Sequence, residues 1–139
     1  MGKSVQDVMT SSPTSVEAES PVAEAAKIMK QKNVGIVPIV EGGRLVGTVT
    51  DRDIAVRVVA EGKDPRSLSV HEIASTDLVT VNPEQDLDEA LGLMATHQVR
   101  RLPVVEADGK LVGIVAQADV ARESNDRKTG DLVEDISQP

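Results

Sequence analysis

The chain contains no phenylalanine, tyrosine or tryptophan. Its core must therefore be built from valine, isoleucine, leucine, alanine and methionine. The same absence argues against a binder of single-stranded nucleic acid, because such proteins stack bases on aromatic faces. Cysteine is also missing, which excludes disulfides and thiolate metal sites and leaves no sign of an oxidising compartment. Only His71 and His97 offer an imidazole, and His71-Glu72 does not continue into a zinc-protease helix, since Ser75 stands where the second histidine belongs. With so few ligands, no metal is expected. No apolar run approaches the roughly 20 residues that cross a bilayer. The opening MGKSVQDVM lacks the apolar stretch of a signal peptide, and Gln6 sits where a myristoylation signal carries Ser or Thr. A cytoplasmic protein with no membrane partner is expected.

What remains is 139 residues, 40% hydrophobic, with a net charge of −8. That length suits one compact domain or two small packed halves. The negative charge repels a phosphate backbone, so no nucleic-acid partner is expected, although a local basic spot can still hold one small anion.

The chain reads as a duplication. The stretch from Val8 aligns with that from Ile73: Val16 meets Val81, Glu24-Ala25 meets Glu89-Ala90, and Met29 meets Met94. Pro38 then meets Pro103, Val40-Glu41 meets Val105-Glu106, Leu45-Val46-Gly47 meets Leu111-Val112-Gly113, and Asp53 meets Asp119. Each copy predicts strand, helix, strand, strand, helix. The first strands are expected at Thr14 to Val16 and at Leu78 to Val81. Ser20-Pro21 supplies an N-cap and a first-turn proline, and Asp86 with Glu89 a capping-box-like start. Val22, Ala25, Ala26 and Met29, and Leu87, Ala90, Leu91 and Met94, recur at helical spacing and give each helix one apolar face. Hairpins follow: Ile36 to Val40 with Leu45 to Thr50 around Glu41-Gly42-Gly43, and Leu102 to Val105 with Leu111 to Ala116 around Ala107-Asp108-Gly109. Final helices are expected at Arg52 to Ala60 and Ala118 to Glu123. The copies occupy residues 8–60 and 70–123, joined by a breaker-rich linker at 61–69. The polar tail 124–139 is expected to be disordered.

The stretch Gly47-Thr48-Val49-Thr50-Asp51-Arg52-Asp53 gathers carboxylates, hydroxyls and an arginine at a strand end. It allows a catalytic acid pair, a cradle for sugar and phosphate, or a helix cap. Catalysis is disfavoured, because no nucleophile stands beside a histidine and no Walker-type loop occurs. Asp53 can accept hydrogen bonds from both hydroxyls of a ribose, as acidic residues do in dinucleotide folds. It equally suits a solvated first-turn Asp beside the helix dipole. Thr50 can donate to a ligand oxygen or cap the helix. Arg52, Arg100 and Arg101 suit bidentate contact with phosphate, or ordinary surface pairing with the many acids. Ile54, Val58 and Val59 fit either a subunit contact or the internal core.

Val37-Pro38-Ile39-Val40 with Leu45 to Asp53, and Leu102-Pro103-Val104-Val105 with Leu111 to Asp119, resemble the two halves of a CBS-domain pair, or Bateman module. Phrases such as LVGTVTDRDI and HQVRRLPVV are similar to small bacterial stress- and hypoxia-response CBS proteins. The resemblance implies an α/β (α+β) fold, with two β-α-β-β-α repeats packed about a pseudo-two-fold axis. It implies a regulatory sensor of AMP, ADP, ATP or S-adenosylmethionine, bound in clefts between the repeats and signalling to a protein partner. It also implies a homodimer. In the family motif Gly-x-x-Thr-x-x-Asp, matched by Gly47, Thr50 and Asp53, the Asp clamps the ribose. The resemblance places Thr48, Asp77 and Val79 on the walls of the Asp53 cleft, and Ser12, Thr14 and Ile114 on those of the Asp119 cleft. The second copy keeps Gly113 and Asp119 but carries Ala116, Gln117 and Ala118 in place of Thr50, Asp51 and Arg52. The Asp53 cleft is therefore the expected nucleotide site, and the Asp119 cleft is expected to be weak or empty. The competing reading is a ligand-independent, stress-associated dimer acting through its surface.

Overall fold

The computed structural model describes residues 3–123; the predicted disordered tail, 124–139, lies outside the described residues. In chain order the elements are α1 (Val5–Val8), β1 (Thr10–Ser11), β2 (Val16–Glu17), α2 (Val22–Lys32), β3 (Ile36–Glu41), β4 (Arg44–Thr50) and α3 (Asp51–Ile54). A π-helical turn (Ala55–Val59) continues α3, and a short 3-10 turn (Val70–Glu72) comes next. The chain goes on through α4 (Leu87–His97), β5 (Arg101–Val105), β6 (Leu111–Ala116) and α5, which covers residues 117–123. Mixed helix and strand in a tandem arrangement is the expected fold class.

The hairpins form where the apolar runs and glycines predict. Gly42 and Gly43 turn the first at φ of +60° and +82°, the paired left-handed geometry of a tight hairpin turn. The helices end alike without glycine: Asn33 and Gln98 adopt φ of +55° and +56°. Val34 N–H then closes on the Met29 carbonyl at 3.1 Å, and Val99 N–H on that of Met94 at 2.9 Å.

Several boundaries differ from the prediction. Pro21, not Ser20, occupies the N-cap of α2. Asp86 caps α4 by position, but no side-chain bond completes a capping box; Glu89 instead accepts from Gln85 Nε2 at 3.3 Å. The leading strand of the first copy is only Val16–Glu17, and that of the second is a single parallel bridge from Val81 to Val104. Ala26 is exposed, while Ile28 packs against the core in its place. The helix after β4 starts at Asp51 and widens into the π turn, and the helix after β6 starts at 117. Val58 is fully buried and Ile54 packs on the same cluster, so both belong to the core; Val59 is exposed.

The backbone divides into two compact units. The Asp53 unit contains residues 13–78 and 108–111, and its sheet has the order β2-β3-β4. Its core joins Val22, Ala25 and Met29 of α2 to Val37, Ile39 and Val49 of the hairpin, with Val58 and Val70. The Asp119 unit contains residues 3–12, 79–107 and 112–123 of the described chain, with sheet order β1-β6-β5. Leu87, Ala90 and Met94 of α4 pack there on Leu102, Val104 and Val115, with Val5 and Val120.

These units are not simply the two sequence copies. Ser4-Val5-Gln6-Asp7 aligns with Ser69-Val70-His71-Glu72, so each copy opens with a further leading segment. Each such segment docks on the body of the other copy. Val5 N–H donates to the Gln85 carbonyl at 2.8 Å, and Val70 N–H to that of Ser20 at 2.8 Å. Both valines are fully buried. Each segment starts with a reciprocal cap: Ser4 N–H to Asp7 Oδ2, and Ser69 N–H to Glu72 Oε2, both at 2.9 Å. Each then pairs with the second hairpin strand, Thr10 with Ile114 and Ser75 with Thr48.

Candidate functional site

The end of β4 concentrates the predicted chemistry of the Asp53 unit. β4 stops at Thr50, whose extended backbone (φ −111°, ψ 163°) makes it the N-cap of α3. Thr50 Oγ1 accepts from Asp53 N–H at 3.0 Å, and Asp53 Oδ2 accepts from Thr50 N–H at 2.9 Å. Of the readings open for this stretch, the helix cap is therefore realised. It does not exhaust the carboxylate. Asp53 Oδ1 lies 3.9 Å from Arg57 Nε and accepts no hydrogen bond among the described residues, on a side chain only 16% exposed. Thr50 Oγ1 accepts one bond and keeps its own proton to donate.

Gly47, the first residue of the Gly-x-x-Thr-x-x-Asp pattern, has a packing role. A Cβ on Gly47 would come within 3.1 Å of both Ala74 Cβ and the Ser75 carbonyl. The glycine thus lets the leading segment of the second copy approach β4. Thr48 is buried, and its N–H and C=O exchange bonds with Ser75 at 3.0 and 2.9 Å. This pairing ends two residues short of Asp77, which is exposed. Gly113 is the counterpart in the other unit, where an added Cβ would collide with Met9 Sδ.

The structure gathers the predicted residues unevenly. Thr14, Thr48, Thr50, Arg52, Asp53 and Asp77 fall in the Asp53 unit, and Ser12, Val79, Arg100, Arg101, Ile114 and Asp119 in the other. Arg52, Arg100 and Arg101 are exposed. Arg100 precedes β5, and its carbonyl accepts from Gln117 N–H at 2.7 Å. Gly35 does the same for Asp51 N–H at 2.9 Å. Ile114 lies in β6, and Val79 packs against the second core. Ser12 is exposed and left-handed, at φ +50°. Asp119 differs from Asp53: with alanine at 116 there is no hydroxyl to cap with, and its Oδ1 is taken by Arg122 Nη2.

Sequence reasoning missed Arg57. It faces Asp53 Oδ1 and also donates from Nη1 to the Ile73 carbonyl at 3.3 Å. The spacing Asp53-x-x-x-Arg57 on a predicted helix was the available signal.

Two shallow hollows lie elsewhere. One, of about 300 Å³, is lined by Glu19, Glu41 and His71 among others; the second, of about 290 Å³, by Glu84 and Glu106. Both are small for a nucleotide-sized ligand and carry carboxylates that repel phosphate. None of the predicted site residues lines either of them. Among the described residues, no three His, Asp or Glu side chains converge as a metal site would need, and no helix is long and apolar enough to cross a membrane.

Comparison with known proteins gives these features a family. The chain is 46% identical to the CBS domain-containing protein YhcV of Bacillus subtilis over 135 residues, covering 96% of this chain and 95% of that protein. It is 35% identical to hypoxic response protein 1 of Mycobacterium tuberculosis over 135 residues, covering 96% and 94%. Among solved structures, a hypoxic response protein with two coordinated zinc ions superposes with a TM-score of 0.79 at 36% identity, covering 86% of this chain and 98% of that one. CBSX2 in complex with AMP gives 0.78 at 28% identity, covering 91% and 99%. The CBS domain pair of protein MJ0100, in complex with 5′-methylthioadenosine and S-adenosyl-L-methionine, gives the same score, identity and coverage. The model of the CBS domain matches twice, over residues 5–60 and 70–126, so the chain belongs to the family of CBS-domain pairs.

Proposed function

We propose that this protein is a non-catalytic regulatory module that binds an adenosyl ligand through Asp53. The observation that carries the reading is the state of the Asp53 carboxylate. One oxygen is pinned by the Thr50 N–H, and the other accepts no hydrogen bond among the described residues. An ionised carboxylate has acceptor sites for two vicinal hydroxyls and is best held by a fixed donor. Two structural neighbours carrying AMP, or methylthioadenosine and S-adenosylmethionine, support the ligand class. Thr50 supplies a donor, and Arg52, Arg100 and Arg101 supply charge for a phosphorylated ligand such as AMP, ADP or ATP. Thr48 and Asp77, in the same unit, are the wall residues of this reading, with an aliphatic rather than aromatic bed for adenine. Ser12, Ile114 and Asp119 belong to the weaker counterpart in the other unit, which lacks a Thr50 hydroxyl. No metal enters this reading. The module acts in the cytoplasm as a homodimer and signals to a protein partner, the ligand shifting a balance between two states by its differential affinity.

A second reading has its own support: Val56 and Val59 are 48% and 69% exposed on one helix, a surface suited to a ligand-independent dimer or scaffold. Thermal unfolding with AMP, ADP, ATP and S-adenosylmethionine separates the two. A ligand at a hundredfold excess over its dissociation constant stabilises by about 2.7 kcal/mol. The sensor reading expects such a shift with at least one ligand, abolished by Asp53→Ala. The absence of any shift would favour the scaffold. With no tryptophan or tyrosine in the chain, a co-purified adenine would also dominate the ultraviolet spectrum.

A further inference from the structure

Arg57 bridges two features that the sequence pattern treats separately. Its guanidinium places Nε 3.9 Å from Asp53 Oδ1 and Nη1 3.3 Å from the Ile73 carbonyl. Ile73 belongs to the leading segment that docks on β4, two residues before the Ser75–Thr48 exchange. The π-helical turn Ala55–Val59 contains Arg57, buries Val58, and leaves the Arg57 side chain 53% exposed. Single π turns of this kind often occur at functional sites. An ion pair so exposed adds little stability by itself. What the planar fork supplies is geometry, because one rigid group holds a carboxylate and a carbonyl at once. Among the described residues of the other unit no such bridge occurs: Asp119 pairs with Arg122, and a separate pair, Lys3 with Glu123 at 2.8 Å, ties α5 to the leading segment.

We infer that Arg57 is a positioning residue that couples the Asp53 carboxylate to docking of the leading segment at Ile73. The coupling rests on the adenosyl reading of Asp53. Ribose hydroxyls on Asp53 fix the carboxylate; the carboxylate fixes the guanidinium, and the guanidinium tightens on the Ile73 carbonyl. Ligand binding therefore firms the segment, and by linkage a docked segment favours the ligand by the same factor.

The test is amide hydrogen exchange over residues 70–76 combined with calorimetry on the full chain, using AMP and S-adenosylmethionine as probes. In the ligand-free protein, Arg57→Ala should speed exchange at Ser75, whose N–H donates to the Thr48 carbonyl, while Val37 and Val49 in the same sheet stay protected. With ligand, the wild type should slow exchange at Ser75 further and Arg57→Ala should not. Affinity in Arg57→Ala should fall roughly fivefold, the low end of ordinary site coupling, and Arg57→Lys, which keeps the charge but not the two-nitrogen fork, should recover little of it. Unchanged exchange at Ser75 in ligand-free Arg57→Ala would overturn the inference, whatever the ligand does. Wild-type affinity in Arg57→Ala, or a ligand-induced slowing that survives the substitution, would overturn it as well. If the wild type binds neither probe, the adenosyl reading fails and the ligand arm fails with it, while the ligand-free arm still decides whether Arg57 holds the segment.

Discussion

On the proposed function Asp53 serves two roles with one side chain, the observed cap and a ribose contact, and substitutions separate them. Asparagine keeps an oxygen for the Thr50 N–H but loses the charge and turns a donor toward the ribose. Asp53→Asn should therefore leave stability within about 0.5 kcal/mol of wild type, as expected when a structural contact is kept, while ligand binding is lost. Thr50→Ala removes the hydroxyl that accepts from Asp53 N–H and should cost about 1 kcal/mol of stability in urea unfolding. Equal effects of the two changes on stability and binding would argue that Asp53 is only a cap. The sequence could not separate these roles, because Thr-x-x-Asp is the pattern both for a reciprocal cap and for a ribose clamp. Arg57 was hidden for a different reason: its carbonyl partner, Ile73, lies far along the chain.

Among the elements, the hairpins were legible because glycines stand between apolar runs, and the long helices because their apolar residues recur at helical spacing. The leading segments were not. Ser4-Val5-Gln6-Asp7 and Ser69-Val70-His71-Glu72 are too short to show a period, and their hydrogen-bond partners, such as Gln85 and Ser20, are remote in sequence. Their signal was the repetition itself, Ser-Val followed by an acid two residues later in both copies. Gly47→Ala tests their docking, since the new Cβ would press on the Ser75 carbonyl at 3.1 Å; it should destabilise by roughly 1–3 kcal/mol, as overpacking does. Gln98 sits at φ +56°, where glycine is at ease and other residues are strained. Gln98→Gly should raise stability by about 0.5–1 kcal/mol in the same assay. The linker behaves as an element too. Asp64 Oδ1 accepts from the Arg66 N–H at 2.9 Å, and this bond first, then the Arg66 guanidinium, holds the Asp64 carboxyl below its ordinary range. A depressed folded value stabilises the turn above the unfolded pKa, and the effect is lost as pH falls through the folded one. An NMR titration should place the Asp64 midpoint below that of an unfolded aspartate.

At the scale of the whole molecule, the exchange of leading segments makes each compact unit depend on both sequence copies. Val5 and Val70 are fully buried in separate core clusters. Val5→Ala and Val70→Ala should each cost about 2 kcal/mol, and the double variant should show their sum, since the clusters share no residues. A fragment ending at Ala60 would lack the segment that docks on β4, and should fail to give the cooperative unfolding of the full chain. On the proposed function this architecture suits a sensor, because a segment held at a strand edge by a guanidinium that faces a carboxylate can report what occupies that carboxylate. The most direct test of that claim is calorimetric titration of the full chain with AMP and with S-adenosylmethionine, beside Asp53→Asn. Saturable binding of at least one of them to the wild type, absent from the cooperatively folded Asp53→Asn variant, is the predicted result. Binding that survives Asp53→Asn unchanged, or no binding to the wild type, would contradict it.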